Sequence, residues 1–226
     1  MSIKQELISK FNNNISSNAN LSNYSWFNLG GPAEYLFKPD SKEQLIEFLK
    51  HIKKYDFKIT ILGAGSNTLI RDNGVNGVVI KLGSSFSTIS LIDQNLIEVG
   101  AATLDRTISN FAKEKNIGNL EFLSCIPGSI GGAVVMNSGC YGDEISKILS
   151  SINVIDINEC KEREIRYDEI KFFYRGTNLS DQLIITSVKL KGITVSKDLI
   201  EEKQKRLIEK KKLSQPNRVK TGGSTF

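Results

Sequence analysis

The chain has 226 residues, a formal net charge of +5 and an ordinary share of apolar side chains, so it has enough material for one large domain or two modest ones. No apolar run is long enough to span a bilayer, and the amphipathic start Met1-Ser-Ile-Lys-Gln-Glu-Leu-Ile lacks the apolar stretch of a signal peptide. These features predict a cytoplasmic protein with no membrane partner.

Residues 12–23 are rich in Asn and Ser and read as a loop. Ser22 to Gly31, with Trp26, Phe27 and Gly30-Gly31, forms a turn into the first compact unit. Ala33 to Lys38 is a short strand. Asp40 or Ser41 caps the next helix, and Ser41 with Gln44 fits a capping box. Leu45, Ile46, Phe48, Leu49 and Ile52 recur at helical spacing and predict one buried stripe. His51, the only histidine, is placed on the solvent face of that helix. Lys58 to Leu62 is a strand, and the glycine turn Gly63-Ala64-Gly65-Ser66-Asn67 follows it.

That turn excludes a Rossmann-type site. There the glycine turn opens a full helix and a third glycine follows. Here Leu69-Ile70 leads directly to a second turn, Arg71-Asp-Asn-Gly74, and then to Asn76-Gly77 and a strand from Val78 to Leu82. Further strands are expected at Thr88–Ile92, Leu96–Val99, Ile152–Ile157 and Leu183–Leu190. One helix interrupts them, Leu104 to Lys115, with Leu104, Ile108, Phe111 and Ala112 on its buried face. Residues 198–213 form a last helix, and the weakest joint falls at 191–197. The pattern is α+β with mostly antiparallel strands.

The stretch from Ser124 to Gly142 contains five glycines: Gly128, Gly131, Gly132, Gly139 and Gly142. Consecutive main-chain N–H groups in such a loop can converge on an anion, as can those of Gly63 to Asn67, without a helix terminus. Two such loops suggest a long anionic cofactor gripped at two places. The sober alternative for each loop is a tight turn between strands. Cys125, Cys140 and Cys160 show no metal-ligand spacing and read as free thiols. A redox role for Cys125 and Cys140 competes with simple packing near a ligand, and packing is the expectation. The excess positive charge comes from residues 201–220, with eight basic and three acidic side chains. A solvated helix face is preferred there over a nucleic-acid arm, since no aromatic residue interleaves the run.

Five motifs stand in one order: Ser25-Trp-Phe-Asn-Leu-Gly-Gly31, Gly63-Ala-Gly-Ser-Asn67, Ile126-Pro-Gly-Ser-Ile-Gly-Gly-Ala133, Tyr174-Arg175 and Thr221-Gly-Gly-Ser-Thr-Phe226. With them, from about Leu21 onward, the chain resembles the UDP-N-acetylenolpyruvoylglucosamine reductases, bacterial flavoenzymes of peptidoglycan precursor synthesis. The resemblance implies a two-subdomain FAD-binding fold of the vanillyl-alcohol-oxidase (PCMH) type, followed by the start of an α+β substrate domain. It divides the chain into residues 1–82 (with an extension, 1–22), 83–192 and 193–226. It implies non-covalent FAD held by Gly63, Ala64, Gly65, Ser66 and Asn67 on one side. Ser124, Ile126, Pro127, Gly128, Ser129, Gly131, Gly132, Asn137, Gly139 and Gly142 hold it on the other.

By the same resemblance NADPH is the reductant and a UDP-sugar the substrate. Arg175 grips a carboxylate and Ser224 donates a proton. No metal or nucleic acid is implied; the oligomeric state is not readable, with a monomer slightly favoured. The family continues past the Gly-Gly-Ser motif and places a glutamate near its C-terminus that no residue here matches. A C-terminally truncated reductase that binds FAD with little turnover is therefore the expectation. Another FAD-dependent oxidoreductase of the same fold, an inactive FAD-binding fragment and a nucleic-acid module remain as alternatives.

Overall fold

The computed structural model describes residues 3–215. Helix α1 (Ile3–Phe11) leads into β1 (Ile15–Asn20), followed by β2 (Pro32–Phe37), α2 (Lys42–Ile52), β3 (Ile59–Ile61) and β4 (Val75–Ile80). These strands form a four-stranded sheet in the order β1-β2-β4-β3. β1 is antiparallel to β2, whereas β2 and β3 both run parallel to β4. The antiparallel expectation is thus corrected for this sheet. A parallel neighbour needs a long crossover, normally a helix. α2 supplies one crossover; residues 62–74, which hold the first glycine loop, supply the other without a helix.

Ser41 caps α2 by accepting from the Gln44 N–H at 3.1 Å, but the Gln44 side chain accepts from Asp40 and not from Ser41, so the box is displaced by one residue. Leu45, Phe48, Leu49 and Ile52 are buried as the spacing predicts. Phe48 stacks on Phe37 with ring centroids 3.7 Å apart, and Phe11 meets both rings edge-on. His51 does not face solvent. Its side chain is 14% exposed, lies between the Phe11 and Tyr55 rings, and sets Nε2 3.1 Å from Glu6 Oε1. The loop expected at 12–23 contains β1, a polar edge strand anchored by buried Ile15. Its register comes from main-chain pairing with β2, which Ser and Asn side chains do not advertise.

The second sheet contains β5 (Ile89–Asp93), β6 (Leu96–Gly100), β10 (Leu149–Asp156), β11 (Lys161–Arg166) and β14 (Leu183–Lys191). Between β6 and β10 lie α3 (Asp105–Glu114), β7 (Ile117–Gly118), α4 (Ile130–Val135), β8 (Gly139–Cys140) and β9 (Asp143–Glu144). The order is β11-β10-β14-β6-β5, antiparallel throughout. Sequence reading missed β11, whose Lys-Glu-Arg-Glu-Ile-Arg buries Ile165 alone. Ile97, Val99, Ile152, Val154, Val188 and Leu190 pack against α3, α4 and Phe122. The buried face of α3 is rotated from the expected one: Leu104 is exposed, while Asp105 and Ser109 are buried with Ile108 and Ala112. Ile155 and Ile184 also join the aromatic core of the first sheet, which fuses the two halves.

Hairpin β12 (Phe172–Phe173) and β13 (Gly176–Thr177) precedes β14, and β15 (Ile193–Thr194) leads to α5 (Lys197–Ser214). β15 pairs with β7, so the joint expected to be weakest is tied down. α5 lies on α3 and the turn Glu121–Cys125. The buried Gln204 amide donates to the carbonyl and hydroxyl of Ser109. Lys203 pairs with Glu121, Lys197 with Glu114, and Lys211 donates to the Cys125 carbonyl. Lys203 and Lys211 of the basic run are therefore engaged with protein acceptors. Among the described residues, no helix is long and apolar enough to cross a membrane.

Candidate functional site

The first loop starts where β3 ends. Gly65 has φ +72°, and a Cβ there would stand 1.9 Å from the Tyr24 carbonyl oxygen. The Trp26 N–H donates back to the Gly65 carbonyl at 3.1 Å. The Trp26 turn is thus the wall behind the loop, a pairing invisible in sequence because some forty residues separate them. Lys81 donates to the Gly63 carbonyl at 2.6 Å. Burial, with nearby Lys38, holds the Lys81 ammonium below its ordinary pKa. Lys38 in turn donates to the Tyr24 hydroxyl. Sequence reasoning missed Lys81 and Lys38, since single lysines at strand ends carry no motif.

Among the described residues, none of the main-chain N–H groups from Gly63 to Asn67 donates a hydrogen bond to the protein. A run of five unpaired donors calls for an acceptor from outside the chain or from solvent.

The second loop rises from the turn Glu121–Cys125 through Ile126-Pro127-Gly128-Ser129 and enters α4. A short helix therefore follows this loop, contrary to the expectation of a loop without a helix terminus. Ile130 N–H donates to Thr103 and Gly131 N–H to Ala101, which fixes α4 across the end of β6. A Cβ on Gly131 would press on Ala101 at 3.0 Å, so its small size serves this packing. The N–H groups of Gly128, Ser129 and Gly132 donate to no protein acceptor among the described residues.

The two loops face each other. A Cβ on Gly63 would lie 2.9 Å from the Ser129 hydroxyl, and one on Gly128 would lie 3.7 Å from the Ser66 hydroxyl. Ser124 and Cys125 close the turn beside them, with Ser124 Oγ 3.8 Å from Cys125 Sγ.

Asn137 is buried and bridges two segments. Its amide donates to the Phe173 carbonyl at 3.2 Å and its oxygen accepts from the Ser146 N–H at 3.0 Å. It thereby fastens the β12–β13 hairpin to the second loop. Arg175 sits at the tip of that hairpin with φ +59°. Its guanidinium donates to the Gly139 carbonyl at 3.2 Å and lies 4.9 Å from the centre of the Tyr174 ring. Gly142, at φ +90°, turns β8 into β9 with nothing near its Cβ direction. Ser224 lies outside the described residues.

The cysteines are free. A hydrogen bond with Cys140 draws the Cys125 thiol down to about 6, while the same contact and burial push Cys140 up. Cys140 Sγ also lies 3.4 Å from the Phe122 carbonyl, which sets β8 under the loop.

The buried side-chain oxygens left without a partner among the described residues are those of Ser25, Thr103 and Asp105. Ser25 lies against Gly65, Thr103 accepts from Ile130 through its carbonyl, and Asp105 N–H donates to Gly128. All three thus cluster where the loops meet. Two facing rows of unpaired N–H groups with orphaned hydroxyls behind them fit a pyrophosphate-bearing cofactor such as FAD.

Residues 33–161 match the family model of an FAD binding domain. The chain is 45% identical to the UDP-N-acetylenolpyruvoylglucosamine reductase of Pelagibacter ubique (strain HTCC1062), covering 100% of this chain and 75% of that one. It is 41% identical to that of Orientia tsutsugamushi (strain Boryong), covering 96% and 72%. The crystal structure of the Thermus caldophilus reductase superposes with a TM-score of 0.78 at 30% identity, covering 92% of this chain and 72% of that one. p-Cresol methylhydroxylase with substrate bound matches at a TM-score of 0.60 and 14% identity, covering 85% and 44%, which shows the shared PCMH-type fold. The chain thus carries an FAD-binding domain and belongs to the UDP-N-acetylenolpyruvoylglucosamine reductase family.

Proposed function

We infer that the chain carries out the FAD-dependent reduction of the enolpyruvyl group of UDP-N-acetylenolpyruvoylglucosamine to UDP-N-acetylmuramate, a step in building peptidoglycan and the cell wall. The observation behind the reading is the pair of facing loops with unpaired N–H groups, one of them joined to Arg175. NADPH serves as the reductant in this proposal, and the three free thiols suit a reducing cytoplasm. A monomer is the working assembly. Residues 1–82 and 83–192 act as the two walls of the cofactor site, and 193–226 begins the substrate-binding unit.

FAD, when bound, would supply the hydride chemistry that links the reductant to the enolpyruvyl double bond. The chain does the rest. Gly63 to Asn67, with Gly128, Ser129 and Gly132, would hold the pyrophosphate with main-chain donors. The planar Arg175 guanidinium meets a carboxylate with paired hydrogen bonds. Placed at the substrate carboxylate, it stabilises the negative charge that builds beside it as hydride arrives. The Gly139 carbonyl and the Tyr174 face hold that guanidinium in place beforehand. Ser224 delivers the proton that completes the lactyl ether.

The test is a flavin titration. Purified chain should take up one FAD, and its reduced flavin should be reoxidised anaerobically by UDP-N-acetylenolpyruvoylglucosamine. Failure to bind FAD overturns the cofactor reading. Reoxidation by an unrelated acceptor, with no response to the UDP-sugar, overturns the substrate.

A further inference from the structure

Asp105 opens α3 and is completely buried. Neither of its carboxyl oxygens has a hydrogen-bond partner among the described residues. Its main-chain N–H donates to the Gly128 carbonyl at 3.0 Å. One carboxyl oxygen lies 3.0 Å from the point where a Cβ on Gly128 would stand, and the Ser66 hydroxyl is 3.7 Å from that same point. The carboxyl group is therefore buried next to Gly128, at the junction of the two loops.

A carboxylate in that position would work against the site twice. It would sit uncompensated in a dry interior. It would also set negative charge behind donors that must attract a pyrophosphate. The α3 N-terminus favours an anion, but that effect is small beside full desolvation. Burial, the single influence acting on this carboxyl, pushes its pKa well above the ordinary range. Gly128, which stands over it, carries no charge, and no charged side chain among the described residues acts on it. A neutral carboxyl, by contrast, costs far less to bury than a carboxylate.

We propose that Asp105 is a positioning residue for the cofactor: its buried carboxyl, set under Gly128 where the two loops meet, holds the second loop in the shape that takes FAD. The proposal rests on the FAD reading. It predicts that an amide can replace the acid and that the charged form is harmful. Bringing the cofactor's own charge close raises the acid's proton affinity further. FAD affinity should therefore fall as pH rises beyond the point where the empty protein loses this proton.

The experiment compares the 226-residue chain with Asp105→Asn and Asp105→Ala, using FAD itself as the probe. At neutral pH Asp105→Asn should hold FAD within about threefold of wild type, and Asp105→Ala should bind at least about tenfold more weakly. Wild-type affinity should weaken on the alkaline side while that of Asp105→Asn stays flat. The infrared spectrum of the wild type at neutral pH should show a protonated-carboxyl carbonyl band that Asp105→Asn lacks. Equal weakening in both variants, unchanged binding in Asp105→Ala, or absence of that band overturns the proposal. If the wild type binds no FAD at all, the cofactor reading falls first, and the infrared band still decides whether the acid is neutral.

Discussion

The two glycine loops use the same residue for opposite purposes. In the first, the space a side chain would fill is taken by protein: a Cβ on Gly65 would fall almost on the Tyr24 carbonyl, 1.9 Å away. In the second, Gly132 has only the Ser129 hydroxyl at 3.9 Å. The first loop needs glycine to fold; parts of the second have glycine and no neighbour that demands it. An open glycine beside unpaired N–H groups marks room kept for a ligand.

Substitutions can break this contrast. The largest effect is expected from Gly65→Ala, which combines φ +72° with a backbone clash. It should destabilise the chain by more than about 3 kcal/mol, read as a fall in Tm with loss of FAD binding. A Gly65→Ala protein as stable as wild type would refute the account of the first loop. Arg175→Lys should leave FAD binding intact and reduce turnover by about a hundredfold, since an ammonium cannot form the planar paired contact. Unchanged turnover in a protein that is active as wild type would remove Arg175 from the chemistry.

Gly132→Ala sharpens the comparison most. It adds a methyl to a short helix where nothing crowds it, so stability should hold or rise by up to about 1 kcal/mol, read as an unchanged or higher Tm. FAD affinity should nonetheless fall by about tenfold if the cofactor lies there. Unchanged affinity would move the cofactor away from α4.

The smallest effect concerns pH. Burial, ahead of nearby Lys10 and Lys54, lowers the His51 pKa, so the unfolded chain binds its proton more readily. Its contribution to stability is complete above the unfolded value of about 6.5 and is lost as pH falls below it. Hydrogen bonds from Lys54 and Tyr55 hold Glu6 down at about 2, and its contribution is lost as pH falls from the ordinary carboxylate range toward that value. Both act in the same direction. His51→Gln should flatten the decline of Tm between neutral and mildly acid pH; an unchanged slope would contradict the buried position of this ring.

What the sequence revealed follows from how each feature is encoded. Strands and helices whose burial repeats with a fixed period, such as Leu45 to Ile52 and Leu183 to Leu190, were legible. β1 and β11 were not, because both are edge strands that bury little and pair through main-chain groups. The glycine loops stood out by composition, and their exclusion of a Rossmann turn followed from spacing. Lys81, Lys38 and Asp105 were silent, because each gains its meaning from a residue distant in sequence. Asp105 was also misplaced by the α3 pattern, which assigned the buried face to Leu104; a charged side chain turned inward defeats a reading based on apolar spacing.

Hydrogen exchange with and without FAD tests the central claim most directly. If one pyrophosphate lies between the loops, amides in Gly63–Asn67 and in Gly128–Gly132 should slow together, with the same dependence on FAD concentration. Protection of only one loop, or of both with different midpoints, would contradict a single cofactor held between them.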